Sequence, residues 1–351
     1  MKNLFSAISE NETIYFSLHC EQVFQNFNYY ESNISSDSGL GYFATELKID
    51  TIERVRQAIE TKEFSYKHIV FDFYRINESR NASSEFDLIL NLVIEREISI
   101  SLIRVSEKLY GDLKLKSFKQ KNNAFIKEHD TNSYTDIFYK CSKIDTQEYD
   151  SFIKTLFQRL FIKRLKEKYL EPNEKIFSNS SNVYLPNYIN IKRFIEEKDL
   201  TYFGIYLLCK KAISDNLIKE YYNRKDIKKT LLFFQSLNGA YIASILSKLA
   251  LLDMAYIDHI GPINKIYRTI LRNNFDNQNN YLIVSDVICM GTEIEIAKSL
   301  IQYENSIVIG NISIVKIEAI KGKQEIETCS LFKLTKENNG DIKYKIETEF
   351  K

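Results

Sequence analysis

The chain has 351 residues, of which 44% are hydrophobic and 27% charged, and its formal net charge is +1 at pH 7. That length is enough for two domains, and the composition supports a sizeable core rather than wholesale disorder. A net charge so close to zero excludes a protein-wide field that would attract nucleic acid or an anionic membrane, although a local basic patch is still compatible with it.

The cysteines and the N-terminal stretch indicate the cellular compartment of the protein. The five cysteines form no Cys-x-x-Cys pair, so the sequence supports neither a disulfide framework nor a zinc site. The N-terminal run MKNLFSAISENETIYF carries acidic and polar residues where a signal peptide needs an apolar core. No apolar run reaches about 18 residues, the length that a membrane span requires. We therefore predict a cytoplasmic protein with no membrane partner.

Apolar periodicity predicts an α/β or α+β domain in the first half of the chain. Helical spacing predicts a helix at residues 50–62, and an apolar run predicts another at 86–94. Aromatic and β-branched residues predict a strand at 66–74, and alternation of apolar and polar residues predicts one at 98–105. No Gly-rich phosphate-binding loop occurs among these elements. We place this domain at residues 1–175, and its residues indicate no role for it.

An amphipathic helix is predicted from Asp150 to Leu170. One face carries an apolar stripe and the other is basic, with Lys154, Arg159, Lys163, Arg164, Lys166 and Lys168. Such a face is typical of a solvated surface over a core stripe, or of a surface that binds nucleic acid or an acidic partner. We favour the solvated surface because it is the commoner case. The next segment, 171–182, is rich in asparagine and serine and contains a proline, so it predicts a linker before a second domain at 183–351.

Short apolar strands alternate with helices in the second domain, which predicts a mostly parallel sheet flanked by helices. The expected strands are Lys229–Phe234, Met254–Ile260, Tyr281–Val284 and one or two within Asn305–Lys316. The expected helices are Tyr202–Asn216, Tyr241–Leu252 and one that begins at Glu293. The dipeptide Asn339-Gly340 predicts a hairpin within Phe332–Lys345.

Two loops of the second domain place small and polar residues after an apolar strand. The first is Gln235–Ala240, with the sequence QSLNGA. The second is Val287–Met290, followed by Gly291-Thr292 ahead of the helix. A small-residue turn between a strand and a helix aims backbone N–H groups and a helix N-terminus at one point, which suits a phosphate. The sequence therefore predicts phosphate binding by this domain.

The run VSDVICMGTEI resembles the phosphoribosyl-pyrophosphate (PRPP) motif of type I phosphoribosyltransferases, in which an aliphatic strand and two acidic residues precede a loop that ends in Gly-Thr. QSLNGA is similar to the pyrophosphate loop of that family, and the two segments occur in the family's order. The resemblance covers residues 183–320. It implies the family's α/β fold, PRPP or a nucleotide-like small molecule as ligand, Mg²⁺ as cofactor, and transfer or cleavage at the sugar C1′.

On this resemblance the ribose 5-phosphate part of PRPP would contact Ser285, Asp286, Cys289, Met290, Gly291, Thr292 and Glu293. Pyrophosphate would contact Ser236, Asn238, Gly239 and Ala240. Asp286 would bind the ribose 2′- and 3′-hydroxyls, because a carboxylate accepts two hydrogen bonds at once, and it is the candidate metal ligand. Lys265 and Arg268 join Asp286 as candidate catalytic residues. The chain departs from the family's pattern at Ser285, where the first of the two acids is expected.

A second resemblance concerns NGAYIAS together with DHIGPINKIYR. These segments are similar to phosphoribosyltransferase-like proteins of bacterial conflict and anti-phage systems, including effectors that accompany retrons. That resemblance implies a defence effector held in check by a protein or ribonucleoprotein partner, and a homo-oligomer is also compatible with it. Three hypotheses follow: a phosphoribosyltransferase or related glycosyl-bond enzyme acting in defence, a non-catalytic PRPP- or nucleotide-binding regulator or sensor, and a partner- or nucleic-acid-binding protein that works through its N-terminal domain.

Overall fold

A computed structural model describes residues 6–18, 46–61, 63–74, 76, 78–122, 124–129, 134–140, 146–171, 176–178, 183–185, 188–218, 230–250, 252–257, 279–289, 291–318, 326–335 and 347–348. The chain divides into two compact units, residues 1–157 and 158–351. The division therefore comes before segment 171–182, whose role as a linker stays a prediction. None of the helices within the described residues is both long enough and apolar enough to cross a membrane.

The described helices are α1 (Ile49–Glu60), α2 (Ser83–Glu95), α3 (Glu107–Asp112), α4 (Leu115–Asn122), α5 (Thr146–Arg164), α6 (Ile191–Glu196), α7 (Lys198–Ser214), α8 (Leu237–Ala250) and α9 (Thr292–Tyr303). A π-helical turn, Leu165–Tyr169, continues α5. The described strands are β1 (Ser6–Glu10), β2 (Thr13–Ser17), β3 (Glu46–Leu47), β4 (His68–Asp72), β5 (Glu78–Ser79), β6 (Ser99–Ser106), β7 (Phe125–His129), β8 (Tyr134–Tyr139), β9 (Leu170–Glu171), β10 (Ile176–Ser178), β11 (Val183–Leu185), β12 (Tyr188–Ile189), β13 (Thr230–Phe234), β14 (Asp253–Tyr256), β15 (Asn280–Ile288), β16 (Ile307–Glu318), β17 (Thr328–Thr335) and β18 (Glu347–Thr348).

The first unit is built on a six-stranded mixed sheet in the order β1-β2-β4-β6-β8-β7. Strands β2, β4 and β6 run parallel to one another, and the outer pairs are antiparallel. Helices α1 and α2 bury their apolar residues in the core of this unit. The helices predicted at 50–62 and 86–94 and the strands predicted at 66–74 and 98–105 are confirmed as α1, α2, β4 and β6.

The second unit contains a five-stranded sheet in the order β14-β13-β15-β16-β17, and every neighbouring pair is parallel. Crossovers between parallel strands are right-handed. The β13–α8–β14 and β15–α9–β16 connections step in opposite directions along the sheet, so α8 and α9 cover opposite faces. On one face, Ile294, Ala297 and Ile301 of α9 join a buried cluster with residues of β13, β14 and β15. The predicted mostly parallel sheet flanked by helices is confirmed.

Two element boundaries predicted from sequence were wrong. Strand β15 continues through Ser285 and Asp286 to Ile288, because its backbone pairs with β16 along that whole length. The loop predicted at Gln235–Ala240 is only Gln235–Ser236, because α8 already begins at Leu237. Its N-terminus is capped by Ser236, whose Oγ accepts a hydrogen bond from Gly239 N–H at 3.0 Å.

Part of the hairpin prediction lies outside the described residues. Asn339-Gly340 is not among them, and Phe332 belongs to β17, which pairs in parallel with β16. The long amphipathic helix predicted from Asp150 to Leu170 is present as α5, and its last turn is π-helical.

Candidate functional site

The strand order of the second sheet places a crevice between β13 and β15. From β13 the chain moves outward to β14, returns past β13 to β15, and then continues the other way through β16 and β17. In open α/β sheets, ligands bind outside the carboxyl ends of the strands at the point where this order reverses. The described residues that follow β13 are Gln235 and Ser236, and those that follow β15 are Cys289 and Gly291. Both predicted loops therefore lie at the position where such a sheet binds a ligand.

Two hydrogen bonds join these segments across the crevice. Asn238 Nδ2, in the first turn of α8, donates to Asp286 Oδ2 of β15 at 2.7 Å. Gln235 Nε2 donates to the carbonyl oxygen of Glu293, in the first turn of α9, at 3.1 Å. The structure thus brings together residues that are 48 and 58 positions apart in the chain.

Gly239 allows α8 to approach the sheet closely. A Cβ added at this position would lie 3.1 Å from both Ser236 Oγ and the carbonyl oxygen of Val284, and 3.3 Å from Phe234 Cβ. Two of these atoms belong to strands β13 and β15, which cannot easily move. The missing side chain therefore lets the first turn of α8 rest against β15, and this contact positions Asn238 beside Asp286.

Asp286 keeps part of its hydrogen-bonding capacity. Its Oδ1 accepts the backbone N–H of Val287 at 2.8 Å, and its Oδ2 accepts the amide of Asn238. A carboxylate offers about four lone-pair positions, so these two bonds leave acceptor capacity for a ligand. The residue is half-buried, at the carboxyl end of β15.

The neighbouring Ser285 is paired with a residue of the next strand. Asn311 of β16 is fully buried, and its Nδ2 donates to Ser285 Oγ at 3.3 Å. Asn311 lies opposite Ile283 in the parallel pairing of β15 with β16. A hydroxyl–amide pair therefore occupies the position where the sequence resemblance predicts the first of two acids.

Gly291 forms the turn between β15 and α9. Its φ is 78°, in the left-handed region, and it precedes the first residue of α9. Glycine adopts this conformation without the steric penalty that a Cβ brings. The first N–H groups of α9 have no partner within the helix, so this turn presents donors and the positive end of the helix dipole to an anion.

Cys289 follows the last residue of β15. Burial raises the pKa of its thiol from the ordinary value of 9.0 to about 11. The thiol is therefore neutral at pH 7, and a nucleophilic thiolate at the helix N-terminus is not supported.

The remaining predicted site residues fall into two groups. Lys265, Arg268 and Met290 lie outside the described residues. Gly239 and Ala240 belong to the first turn of α8 and donate their N–H groups to Ser236, so they contribute close packing more than hydrogen-bond donors.

Two residues of the site were not predicted from the sequence. Gln235 was assigned no role, although it is part of QSLNGA. Asn311 carried no sequence signal at all, because only the pairing of β15 with β16 places it beside Ser285.

The crevice suits a metal that is bound together with phosphates. Among the described residues, no group of three or more His, Cys, Asp or Glu side chains could hold a metal ion. Mg²⁺ does not need such a group, since it is usually held by one or two carboxylates, water and substrate phosphates. Asp286 supplies one carboxylate with acceptor capacity left, so the residues present fit Mg²⁺ in a phosphate complex.

No protein-family model matches the chain, and no curated protein matches it. Similar solved structures include three phosphoribosyltransferases. The adenine enzyme from Thermoanaerobacter pseudethanolicus is 14% identical, with 49% of this chain and 99% of that chain covered and a TM-score of 0.36. The orotate enzyme from Aeropyrum pernix is 13% identical, with 49% and 92% covered and a TM-score of 0.37. The adenine enzyme from Trypanosoma brucei is 13% identical, with 55% and 87% covered and a TM-score of 0.35.

Proposed function

We propose that the second unit binds PRPP, or a related ribose 5-phosphate ligand, together with Mg²⁺ and acts at the sugar C1′ as a phosphoribosyltransferase or related glycosyl-bond enzyme. The observation that carries this proposal is the hydrogen bond between Asn238 and Asp286 at the point where the strand order reverses. A pyrophosphate loop and a sugar-phosphate motif serve one ligand only when they lie side by side, and this bond joins them.

The geometry supports a division of roles within the crevice. The turn at Gly291 and the N-terminus of α9 suit the 5-phosphate, because their N–H groups are not used within the helix. Asp286 has acceptor capacity for sugar hydroxyls. The Asn238 amide, which gives only one of its two hydrogens to Asp286, is the donor placed for pyrophosphate. Gln235 positions these groups by holding the first turn of α9 against the end of β13.

This arrangement can assist the loss of pyrophosphate from C1′. As the C1′–O bond breaks, positive charge develops on the sugar and negative charge on pyrophosphate. The side-chain amide of Asn238 stabilises the leaving group, and Asp286 fixes the sugar. Mg²⁺, held by Asp286 and the phosphates when bound, would neutralise part of the leaving group's charge. The contribution of these residues is positioning and charge stabilisation.

Calorimetric titration of the full chain with PRPP and Mg²⁺ tests the proposal. We expect saturable binding, and Asp286→Ala should weaken it by about tenfold or more, because a hydrogen bond to a charged group contributes about 1.5–3 kcal/mol. Asp253→Ala is the matched control: this exposed aspartate begins β14, at the opposite end of the sheet strands. Absence of PRPP binding, or equal weakening by both variants, would contradict the proposal.

A second candidate is a regulator that binds PRPP or a nucleotide without turnover. It is favoured by the hydroxyl–amide pair of Ser285 and Asn311 at the position of the first acid. The two functions are separated by measuring pyrophosphate or base release at saturating ligand, with any cognate partner removed. Release above background supports the enzyme, and binding without release supports the regulator.

The defence role rests on the resemblance of NGAYIAS and DHIGPINKIYR alone. We propose on that basis that the chain acts as an effector under the control of a protein or ribonucleoprotein partner. Expression of the chain without such a partner should arrest bacterial growth, and Asp286→Ala should relieve the arrest at equal protein level. Growth unaffected by the intact protein would contradict this role.

Two ion pairs weigh against nucleic-acid binding through the basic face of α5 and its π-helical turn. In the part of that face that belongs to the second unit, Arg164 Nε and Lys168 Nζ lie 3.6 Å and 3.2 Å from carboxylate oxygens of Glu197. This pairing lowers the net positive charge that a phosphate backbone would encounter.

A further inference from the structure

Two lysines lie side by side at the carboxyl ends of β16 and β17. Lys316 and Lys333 are directly opposite each other in the parallel pairing of these strands, so their side chains share one face of the sheet. Lys316 is half-buried and Lys333 is exposed. Like charges that are directly opposite in a sheet repel each other and destabilise it. A negative group bound between the two lysines removes that repulsion, so the pair is suited to an anion.

The lysine pair is on the same face of the sheet as Asp286. Lys316 pairs with Ile288 of β15, and Asp286 lies two residues before Ile288, on the same side of that strand. Strand spacing and rise place the Cα atoms of Lys316 and Lys333 about 8 Å and about 12 Å from that of Asp286. Because a lysine carries its charge at the end of a flexible four-carbon stem, both lysines can reach a ligand that Asp286 holds.

The strand order sets the direction in which the lysines extend the site. In the sheet, β15 lies between β13 on one side and β16 and β17 on the other. In the proposed function, Asn238 binds pyrophosphate on the β13 side and Asp286 of β15 binds the sugar. An acceptor approaches C1′ from the side opposite to the departing group, because the reacting orbitals must align. The acceptor therefore enters on the β16–β17 side, where Lys316 and Lys333 lie.

We infer that the acceptor of this site carries a carboxylate, which Lys316 and Lys333 bind while a separate nucleophilic group of the acceptor attacks C1′. In that step the C1′–O bond to pyrophosphate breaks, and its electron pair leaves with pyrophosphate. A bond from C1′ to the nucleophile forms, and the proton of the nucleophile passes to solvent water. A carboxylate fits better than a phosphate, since bringing one negative charge to the half-buried Lys316 costs less desolvation than bringing two. The inference rests on the proposed function, because it concerns the acceptor of the same reaction.

Calorimetry on the full chain with Mg²⁺ tests the inference with nucleotides that correspond to reaction products. Two pairs of probes share ribose 5-phosphate and differ in a carboxylate. The first pair is orotidine 5′-monophosphate and uridine 5′-monophosphate, and the second is nicotinate mononucleotide and nicotinamide mononucleotide. In at least one pair, the unmodified protein should bind the carboxylate member about tenfold more tightly, a difference of about 1.4 kcal/mol.

Substitution of the lysines should remove this preference. Lys316→Gln should reduce it to about threefold or less and leave the affinity for the member without the carboxylate nearly unchanged. Lys333→Gln should reduce it by a smaller factor, because solvent and salt screen an exposed charge. Lys248→Gln is the matched control: this exposed lysine lies in the last turn of α8, at the other end of the sheet strands, and its loss should leave the preference unchanged.

The outcomes separate this inference from the proposed function. Equal affinities within both pairs overturn the inference and leave the proposed function intact, since the shared ribose 5-phosphate is still bound. Equal weakening of both members of a pair by Lys316→Gln places this lysine at the common sugar phosphate and overturns its assignment to the acceptor. If PRPP binds and none of the nucleotides does, the inference alone fails, and if PRPP does not bind either, both fail. The measurement on the unmodified protein decides the preference even if a variant does not fold.

Discussion

Each unit places an aspartate at the carboxyl end of a central parallel strand, and the two aspartates have opposite surroundings. Asp72, the last residue of β4, is 1% exposed and accepts hydrogen bonds from Tyr15 Oη, from Arg104 Nε at 2.7 Å and Nη2, and from Tyr74 N–H at 3.0 Å. Asp286 in β15 is half-buried and accepts two hydrogen bonds, from Asn238 and Val287. The first carboxylate is saturated by the protein, and the second has capacity left for a ligand.

The two aspartates also differ in the residue near them that has a positive φ. Near Asp72 the unusual conformation belongs to Arg104, whose φ is 61°, at an irregularity in the pairing of β6 with β8. The strained backbone of Arg104 accompanies its buried ion pair with Asp72. The N–H of Arg104 donates a hydrogen bond to Asp136 at 2.8 Å. Near Asp286 the unusual conformation belongs to Gly291, in an open turn. A carboxylate whose hydrogen-bonding capacity is filled by protein groups is thus structural, whereas one with capacity left is available to a ligand.

The largest expected effect concerns Asp72. Asp72→Ala leaves the Arg104 guanidinium buried without its carboxylate and should destabilise the first unit by about 3–5 kcal/mol. Chemical denaturation, combined with hydrogen exchange of β4 and β6, measures this loss. Asp87→Ala, at an exposed position of α2, should change stability by less than about 0.5 kcal/mol. A loss below 1 kcal/mol for Asp72→Ala would remove the structural role assigned to the pair.

Gly239→Ala should have the next largest effect. The added methyl group would crowd Ser236, Val284 and Phe234, so we expect a loss of about 1–3 kcal/mol in the stability of the second unit. PRPP binding should weaken as well, because α8 is pushed away from β15. Gly111→Ala is the control: its Cβ meets no described atom within 4 Å, and alanine favours a helix over glycine. Unimpaired stability in Gly239→Ala would show that α8 does not depend on this close approach.

A smaller effect is expected at Gly291. A Cβ there meets no described atom within 4 Å, so the cost of Gly291→Ala is backbone strain alone, about 1–2 kcal/mol. Asparagine tolerates the left-handed region better than alanine, and Gly291→Asn should therefore lose less stability. Thermal unfolding of the two variants measures the difference. Equal losses would argue against a left-handed turn at this position.

The last expected effect concerns the reactivity of Cys289 and not the stability of the fold. Because burial raises its pKa from 9.0 to about 11, the thiolate fraction at pH 8 falls by about 100-fold relative to an unperturbed thiol. Alkylation by iodoacetamide, followed at this residue by mass spectrometry, should be slower by about the same factor and should accelerate about tenfold per pH unit up to about pH 11. Rapid labelling at pH 7–8 would contradict the buried, neutral thiol.

The sequence alone located most of the described helices and strands and named two loops as candidates for phosphate binding. Phe86–Ile94 was predicted as a helix and lies within α2, and Lys229–Phe234 was predicted as a strand and corresponds to β13. Both predictions rest on apolar runs, which are local features of the chain. The two candidate phosphate loops were also predicted from local sequence, because glycine and small polar residues after an apolar run are typical of such turns.

Only the tertiary structure decided which residues lie next to one another in the site. The order β14-β13-β15 brings Asn238 to Asp286, and the register of β15 with β16 brings Asn311 to Ser285. The end of β15 and the start of α8 also depend on partners, namely the pairing with β16 and the cap from Ser236 to Gly239. These features come from hydrogen bonds and packing between segments distant in the chain, which the pattern of a single sequence does not encode locally.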